Sequence, residues 1–334
     1  MIVCPNAKIN LGLEVLRRRD DGFHDIETVF VPVPGLRDVL EIVKAPEAAL
    51  FQYGTPCGVE VEKNLCFKAF RLMQKLYGIG NINIFLYKNI PMGAGLGGGS
   101  SDAAFTLLAI NDVFELGLSL DTLAGIAAQL GSDCPFFIYN QPMFASGRGE
   151  ILEPYPLDLT GYHIEVVTPG IHISTPEAYK GVDAIKFGIS ADDVLAAEML
   201  QAIDSADASR PPFPLLCSAL DESLAKRGDI LPESFSRLRN CGAASEEIVR
   251  VGNRRDEPTG PERSYFGAQG AGLRERIAAG VEHWRENVVN DFEVYAFAKY
   301  PILAQIKQSL YDRGAVYAAM TGSGSALYGI FPNL

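Results

Sequence analysis

The mixture of elements in this sequence predicts an α+β fold, and three observations carry the prediction. Segments with the two-residue period of strands are interspersed with helical spacings, without the regular βαβα rhythm of a doubly wound parallel sheet. A clean strand leads through a glycine run into an apolar helix. The C-terminal stretch reads strand, glycine loop, strand.

The elements follow in order. Residues 7–16 (AKINLGLEVL) alternate as a strand, RRRDDG at 17–22 turns the chain, and 23–33 (FHDIETVFVPV) and 39–43 give two more strands. The stretch 64–78 places Leu65, Phe67, Ala69, Leu72 and Leu76 at helical spacing, with Asn64 set to cap its start and Gly78 its end. NINIFLYKNI at 81–90 keeps a period of two. PMGAGLGGGSSDAA then leads into an apolar helix over 102–115. A further helix is expected over 120–130, and GSDCPFFIY (131–139) reads as a turn passing into a strand. Later come a strand at 162–168, a helix at 301–313 and the strand–loop–strand of 315–331.

Composition narrows the function. A chain of 334 residues, 48% hydrophobic and 21% charged, can bury a sizeable core, and its length favours two domains. A net charge of −12 repels nucleic-acid phosphates and anionic lipid, so neither is an expected partner. A local positive patch can still hold a small anionic substrate. The six cysteines are scattered without a CxxC pair and there is no HExxH, so no disulfide frame or zinc site is expected, and no metal ligands are assigned. The start, MIVCPNAKIN, lacks the basic and apolar runs of a signal peptide, and no segment approaches the ~18 apolar residues of a membrane span, which places the expected location in the cytoplasm.

The glycine run admits competing readings. Residues 93–98 (GAGLGG) fit G-x-G-x-x-G, but Pro91 sits where a tight strand-to-helix turn does not want it, and the acidic residue expected ~20 positions on falls in helix or loop. A Walker G-x-x-x-x-G-K-[ST] is absent. The physics is plain all the same. Gly93, Gly95, Gly97, Gly98 and Gly99 let backbone approach a ligand closely, and Ser100, Ser101 and Asp102 stand where a helix starts. Free amides and the helix dipole make an anion site there, to which Ser100 or Ser101 can add a hydroxyl for phosphate or Mg²⁺.

A family resemblance enters on these residues. PMGAGLGGGSSDAA resembles the ATP-binding motif P-x-x-x-G-L-G-G-G-S-S-x-A-A of the GHMP kinases, a very specific match. PNAKINLGL (5–13) resembles their N-terminal motif and TGSGSALYGIF (321–331) their C-terminal glycine motif. DGFHDIETVF (21–30), LGSDCPFFI (130–138) and NDFE (290–293) are similar to segments of the branch acting on a cytidine diphosphate-linked polyol. The resemblance covers about 1–190 and 273–334. It implies an N-terminal αβ nucleotide-binding domain, 1–155, and a C-terminal ferredoxin-like domain, 156–334, interrupted by an atypical Pro-, Gly- and charge-rich insertion at about 190–272. It also implies ATP with Mg²⁺ as its counter-ion.

Site residues carry over by the same resemblance. The ATP loop is Pro91, Met92, Gly93, Ala94, Gly95, Leu96, Gly97, Gly98, Gly99, Ser100 and Ser101, with Gly322, Ser323, Gly324 and Ser325 supplying further amides beside the phosphates. The catalytic pair is Lys8 and Asp133: the carboxylate to take a hydroxyl proton, the ammonium to steady charge. Phe23, His24 and Tyr179 form the implied cytidine site, and Asn10 and Thr175 the rest of the substrate site. Arg17, Arg18 and Arg19 could reach a diphosphate, although a solvated turn is the plainer reading. Two alternatives stand beside this one. A mevalonate- or homoserine-type kinase is opposed by DGFH. A nucleotide-binding sensor without turnover is opposed by retention of both Lys8 and Asp133. The sequence leaves the oligomeric state open.

Overall fold

The computed structural model describes residues 1–55, 58–188 and 272–333; of the excursion expected at about 190–272, all but Gly272 lies outside the described residues. Alternating strands build a first sheet in the order β1 (Ile2–Val3), β4 (Val39–Lys44), β6 (Ile82–Lys88), β5 (Ala49–Gly54). The β5–β6 pair is parallel and the others antiparallel. A second, antiparallel sheet runs β2 (Asn6–Arg18), β3 (His24–Arg37), β7 (Met143–Ser146), β8 (Ile151–Pro154). A third runs β10 (Tyr317–Met320), β11 (Leu327–Pro332), β9 (Tyr162–Val167).

The period of two in β4 and β6 puts Leu40, Ile42, Ile82, Ile84 and Leu86 on one buried face. Against it pack Phe67, Phe70 and Met73 of α1 (Leu65–Tyr77) and Leu107 and Ile110 of α2 (Gly98–Val113), each such side chain worth roughly 1.5–3 kcal/mol when fully buried. The ends of α1 are those the sequence marks. The Asn64 side chain accepts from the Cys66 amide at 2.9 Å, and Gly78 turns left-handed at φ 63°. Beyond α3 (Leu120–Ala127), residues expected to form a strand instead form a helix, α4 (Cys134–Tyr139). A short apolar run does not distinguish a buried strand from a buried helix. Here Pro135 falls in the first helical turn, where a missing N–H costs nothing, and Cys134 to Ile138 are buried all round.

The remaining two cores lie on either side of the third sheet. Ile9, Leu11, Val29 and Val31 of the second sheet share one with Tyr317, Ala319 and Tyr328, closed by Leu273 of α6 (Leu273–Ala278) and Trp284 of α7 (Trp284–Asn287). Ala318, Met320 and Leu327 share the other with Val182 of α5 (Thr175–Lys186), Phe292 of α8 (Phe292–Lys299), and Leu303 and Leu310 of α9 (Pro301–Asp312). One consequence matters for function. Strand β2 is buried on both faces from Asn6 through Leu13, so Lys8 and Asn10, which alternation alone would send to solvent, point into the interior.

The segment Asn290–Glu293 stitches these layers together. Asn290 Nδ2 donates to the carbonyls of Met320 and Gly322 at 2.8 and 2.9 Å. Asp291 accepts from the Val15 amide at 2.7 Å and from Lys186 at 2.6 Å. Glu293 accepts from the Met320 amide at 2.7 Å and from Lys307 at 2.6 Å. Asn290→Ala would strip two buried carbonyls of their donor, at about 1–3 kcal/mol for each group left unsatisfied. We expect a stability loss of at least about 2 kcal/mol in denaturant titration with an unchanged m-value; a loss below about 0.5 kcal/mol would show the stitch to be idle.

Candidate functional site

The glycine loop leaves β6, passes Pro91, and enters α2 through Gly97, which is left-handed at φ 70°. Crowding, more than flexibility, requires its glycines. A Cβ on Gly95 would stand 2.2 Å from the Thr321 carbonyl oxygen, and one on Gly97 would meet the Phe137 ring at 2.9 Å and Lys8 Cγ at 3.1 Å. The first-turn amides of Gly98, Gly99 and Ser100 have no acceptor within the helix, whereas the Ser101 amide already reaches the Gly97 carbonyl at 2.9 Å. A cleft of about 340 Å³ opens in front of them. Residues 91–100 line it on one side and Val59, Lys63, Asn64 and Leu65 on the other. Expected ATP-loop residues thus line one cleft, apart from Ser101, which is buried beneath it.

The helix begins at Gly98, ahead of the start at residue 102 expected from the sequence. Glycine is a poor helix former, so propensity places the start later. Packing overrides propensity, because a Cβ on Gly98 would press on Ile90 at 2.9 Å and lie 3.2 Å from Lys88 Nζ. Lys88 sits under this turn, buried, and donates to Asp38 and, at 2.7 Å, to Asp102 of α2. Asp38 also accepts from the Asn89 and Ile90 amides. Burial pushes Asp102 up to about 7; the ammonium of Lys88 opposes this and the charge of Asp38 adds to it. Two carboxyls and one lysine therefore brace the floor of the cleft.

Lys8 lies beside the loop. Its amide donates to the Leu96 carbonyl at 3.0 Å, and its Nζ donates to Asn10 Oδ1 at 2.7 Å. The same ammonium stands 3.6 Å from Asp133 Oδ2 and 4.8 Å from the Phe30 ring centroid. Burial lowers the pKa of Lys8, and Asp133 pulls it back. Asp133 occupies the position just before α4 and is partly open to solvent, so one end of the pair is dry and the other reachable. Asn10, expected at the substrate, is buried and bonded within the chain. Its Nδ2 donates to Thr28 at 3.0 Å, its amide donates to the Thr321 hydroxyl at 3.0 Å, and its carbonyl accepts from Tyr328 at 2.8 Å. It braces Lys8. The neighbouring Cys134 is held as a neutral thiol, burial pushing it up to about 11.

His24 and Tyr179 come together as the sequence implies, their rings stacked with centroids 4.4 Å apart and 19° between planes. Burial pushes the Tyr179 phenol up to about 12, with the charges of Asp133 and Asp183 adding to it. Phe23 is exposed, with the Arg148 guanidinium 4.8 Å from its ring centroid. The Thr175 hydroxyl lies 3.1 Å from that of Ser323, tying the start of α5 to the C-terminal glycine loop. Within that loop the Gly324 amide donates to the Thr321 carbonyl at 3.1 Å and Ser325 donates to the Ile171 carbonyl. Arg17 and Arg19 pair with Asp25 and Asp21 near solvent, as a turn would have it. Arg18 instead turns inward, its Nε 4.0 Å from Asp183. Among the described residues no group of three or more His, Cys, Asp or Glu converges as a metal site.

Two family models match the chain. The GHMP kinases N terminal domain covers residues 64–141 and the GHMP kinases C terminal domain covers 276–334. Over 331 residues the chain is 40% identical to a 4-diphosphocytidyl-2-C-methyl-D-erythritol kinase of Azobacteroides pseudotrichonymphae, spanning 99% of this chain and 93% of that protein. The chain belongs to the GHMP kinase family. A protein of the same name from Parabacteroides distasonis is 38% identical, over 99% and 92% of the two chains. The kinase is also similar to the crystal structure of 4-(cytidine 5'-diphospho)-2C-methyl-D-erythritol kinase, with a TM-score of 0.61 and 28% identity over 98% of this chain and 89% of that one. The mevalonate kinase of Methanococcus jannaschii, at TM-score 0.53 and 11% identity over 99% and 90% of the chains, shares the fold alone. The kinase therefore has the expected α+β fold and acts on a small molecule with ATP as phosphoryl donor.

Several site-shaping residues escaped the sequence reading, and some left a signal. Lys88 falls in phase with Ile82, Ile84 and Leu86, on the face the period of two buries. Asp183 follows Tyr179 by four residues, one helical turn along the same face. Thr28, Thr321 and Tyr328 left no such mark. The Lys88 cluster yields a test. Lys88→Met removes the ammonium that Asp38 and Asp102 share, and breaking such a pair costs about 3–5 kcal/mol. Without it, Asp102 loses the charge that opposes its upward shift and holds its proton more tightly folded than unfolded, so stability falls as pH rises from the ordinary carboxyl value of 3.8 through the raised one. The deficit of Lys88→Met against the parent should be largest at pH 8 and shrink toward pH 5. A deficit that does not vary with pH would contradict this account.

Proposed function

We propose that this kinase transfers the γ-phosphoryl group of ATP to the 2-hydroxyl of 4-diphosphocytidyl-2-C-methyl-D-erythritol, giving the 2-phosphate and ADP. The observation that carries the chemistry is the Lys8–Asp133 pair, 3.6 Å apart, with Lys8 bonded through its amide to the glycine loop that leads into α2. The identity of the substrate is supported by full-length relatives bearing that kinase name at 36–40% identity.

The residues divide the work. The amides of Gly98, Gly99 and Ser100 hold the donor phosphates at the positive end of α2. Mg²⁺ would come as the counter-ion of ATP, and the Ser100 hydroxyl, in the cleft wall, would offer an oxygen to it or to a phosphate. Asp133 takes the proton of the attacking hydroxyl as its oxygen bonds to the γ-phosphorus and the bond to ADP breaks. Lys8, dry and fixed by Asn10, keeps positive charge against the carboxylate and the transferring group. Phe23 offers an exposed ring face to a base, worth roughly 1–3 kcal/mol by stacking, while His24, backed by Tyr179, offers a polar edge.

Three measurements test this reading. ADP release with the cytidyl substrate, mevalonate and homoserine should show turnover with the first and little with the others; preference for mevalonate or homoserine would overturn the assignment. Asp133→Asn should lower kcat by about 10²–10⁴ with the KM for ATP nearly unchanged, and near-normal turnover would remove Asp133 from the chemistry. Phe23→Ala should raise the KM for the cytidyl substrate far more than that for ATP. A defect confined to ATP would place Phe23 elsewhere.

A further inference from the structure

We propose that Asp183 is the positioning residue that sets base specificity: it holds the His24 ring in the tautomer whose outward nitrogen accepts a hydrogen bond from the exocyclic amino group of a cytosine. The inference rests on the reading that the substrate carries cytidine, and it adds a residue and a tautomer to that reading.

The geometry is one-sided. Asp183 Oδ1 lies 2.7 Å from His24 Nε2, and both side chains are buried. A carboxylate can only accept, so Nε2 must carry the hydrogen. In the neutral ring the lone pair then falls on Nδ1, for which no partner exists among the described residues. The ring is held against rotation. Tyr179 stacks on it at 4.4 Å, and Phe292 meets Tyr179 edge-on at 4.9 Å with planes at 90°. On the other side of Asp183, Arg18 Nε sits 4.0 Å from its second oxygen and sets a positive charge against it. The elements supply the pairing. Tyr179 and Asp183 are four residues apart on α5, so one helix face presents a stacking ring and an acceptor to the first residue of β3.

The consequence is a choice between pyrimidines. Cytosine presents an amino donor at its 4-position, and uracil a carbonyl acceptor. An acceptor at Nδ1 pairs with the first and faces the lone pairs of the second. The opposite tautomer would invert the preference. A ring face such as that of exposed Phe23 stacks on either base without telling them apart, so the distinction falls on the nitrogen that Asp183 controls.

The experiment has two arms on the full-length kinase. ¹⁵N NMR of histidine-labelled protein, with His24 assigned by its loss in His24→Gln, should show the Nε2–H tautomer. Steady-state kinetics should show Asp183→Asn raising the KM for the cytidyl substrate at least tenfold, with the KM for ATP within twofold. The ratio of kcat/KM for cytidyl over uridyl substrate should fall at least tenfold, because an amide can either donate or accept and so releases the tautomer. An Nδ1–H or doubly protonated His24 in the parent overturns the inference, and that arm decides alone if Asp183→Asn does not fold. An unchanged cytidyl-to-uridyl ratio in the variant also overturns it, leaving the kinase assignment intact. Absence of turnover with the cytidyl substrate in the parent would sink the functional reading itself and this inference with it.

Discussion

Strand β2 is covered on both faces, and the site depends on that constraint. A strand bearing Lys8 and Asn10 on one side would normally turn those side chains to water. Here the C-terminal sheet and the glycine loop close over them, so both must find partners inside. They find each other at 2.7 Å, and Asn10 passes the connection on to Thr28, Thr321 and Tyr328. Thr321 belongs to the C-terminal glycine motif, and its carbonyl leaves no room for a Cβ on Gly95 of the ATP loop. The main chain and side chain of Asn10 together therefore tie β2 to β3 and to the C-terminal segment. A lysine so held loses little conformational freedom when substrate arrives, which is the physical content of a pre-organised site.

Buried charge around the site is handled in the same way throughout. Lys8 is opposed by Asp133, Lys88 by Asp38 and Asp102, and Asp183 faces Arg18 and a hydrogen bond from His24. Desolvating an ion is costly unless a counter-charge and hydrogen bonds replace water. These clusters surround the cleft and the aromatic patch and do not fill the three apolar cores. The net charge of −12 says nothing about such a site, because it sums the whole chain while the site is set by a few buried cations such as Lys8 and Lys88. An anionic ligand meets helix amides and a few oriented cations, and the overall field matters less at that range.

The glycines illustrate how a motif acquires its meaning. Five glycines in seven positions suggest freedom to take positive φ, and Gly93, Gly95 and Gly97 do so. Gly98 does not; it is needed because Ile90 and Lys88 leave no room for a Cβ. The loop is thereby both left-handed and packed against its surroundings, which holds the first-turn amides at one place. Its rigidity comes from neighbours on β2, on α4 and in the C-terminal loop, all remote in sequence.

Much of this was legible in the sequence. Period two and helical spacing located most strands and helices; Asn64 and Gly78 marked the ends of α1 where the structure has them. The motif residues at 91–100 line one cleft, and Lys8 meets Asp133. Those features are local, governed by propensity, alternation and backbone sterics over a few residues. What the sequence could not decide is what covers each face. Cys134–Tyr139 became a helix because its apolar side chains are enclosed on all sides, and α2 starts at Gly98 because packing outweighs glycine's poor propensity. Arg18 turned inward and Asp183 became the partner of His24 because α5, 159 residues from His24 at that contact, packs against the start of β3. Local rules fix which residues share a strand or a helix. Only tertiary closure removes the water, and removal of water decides which polar side chains must pair.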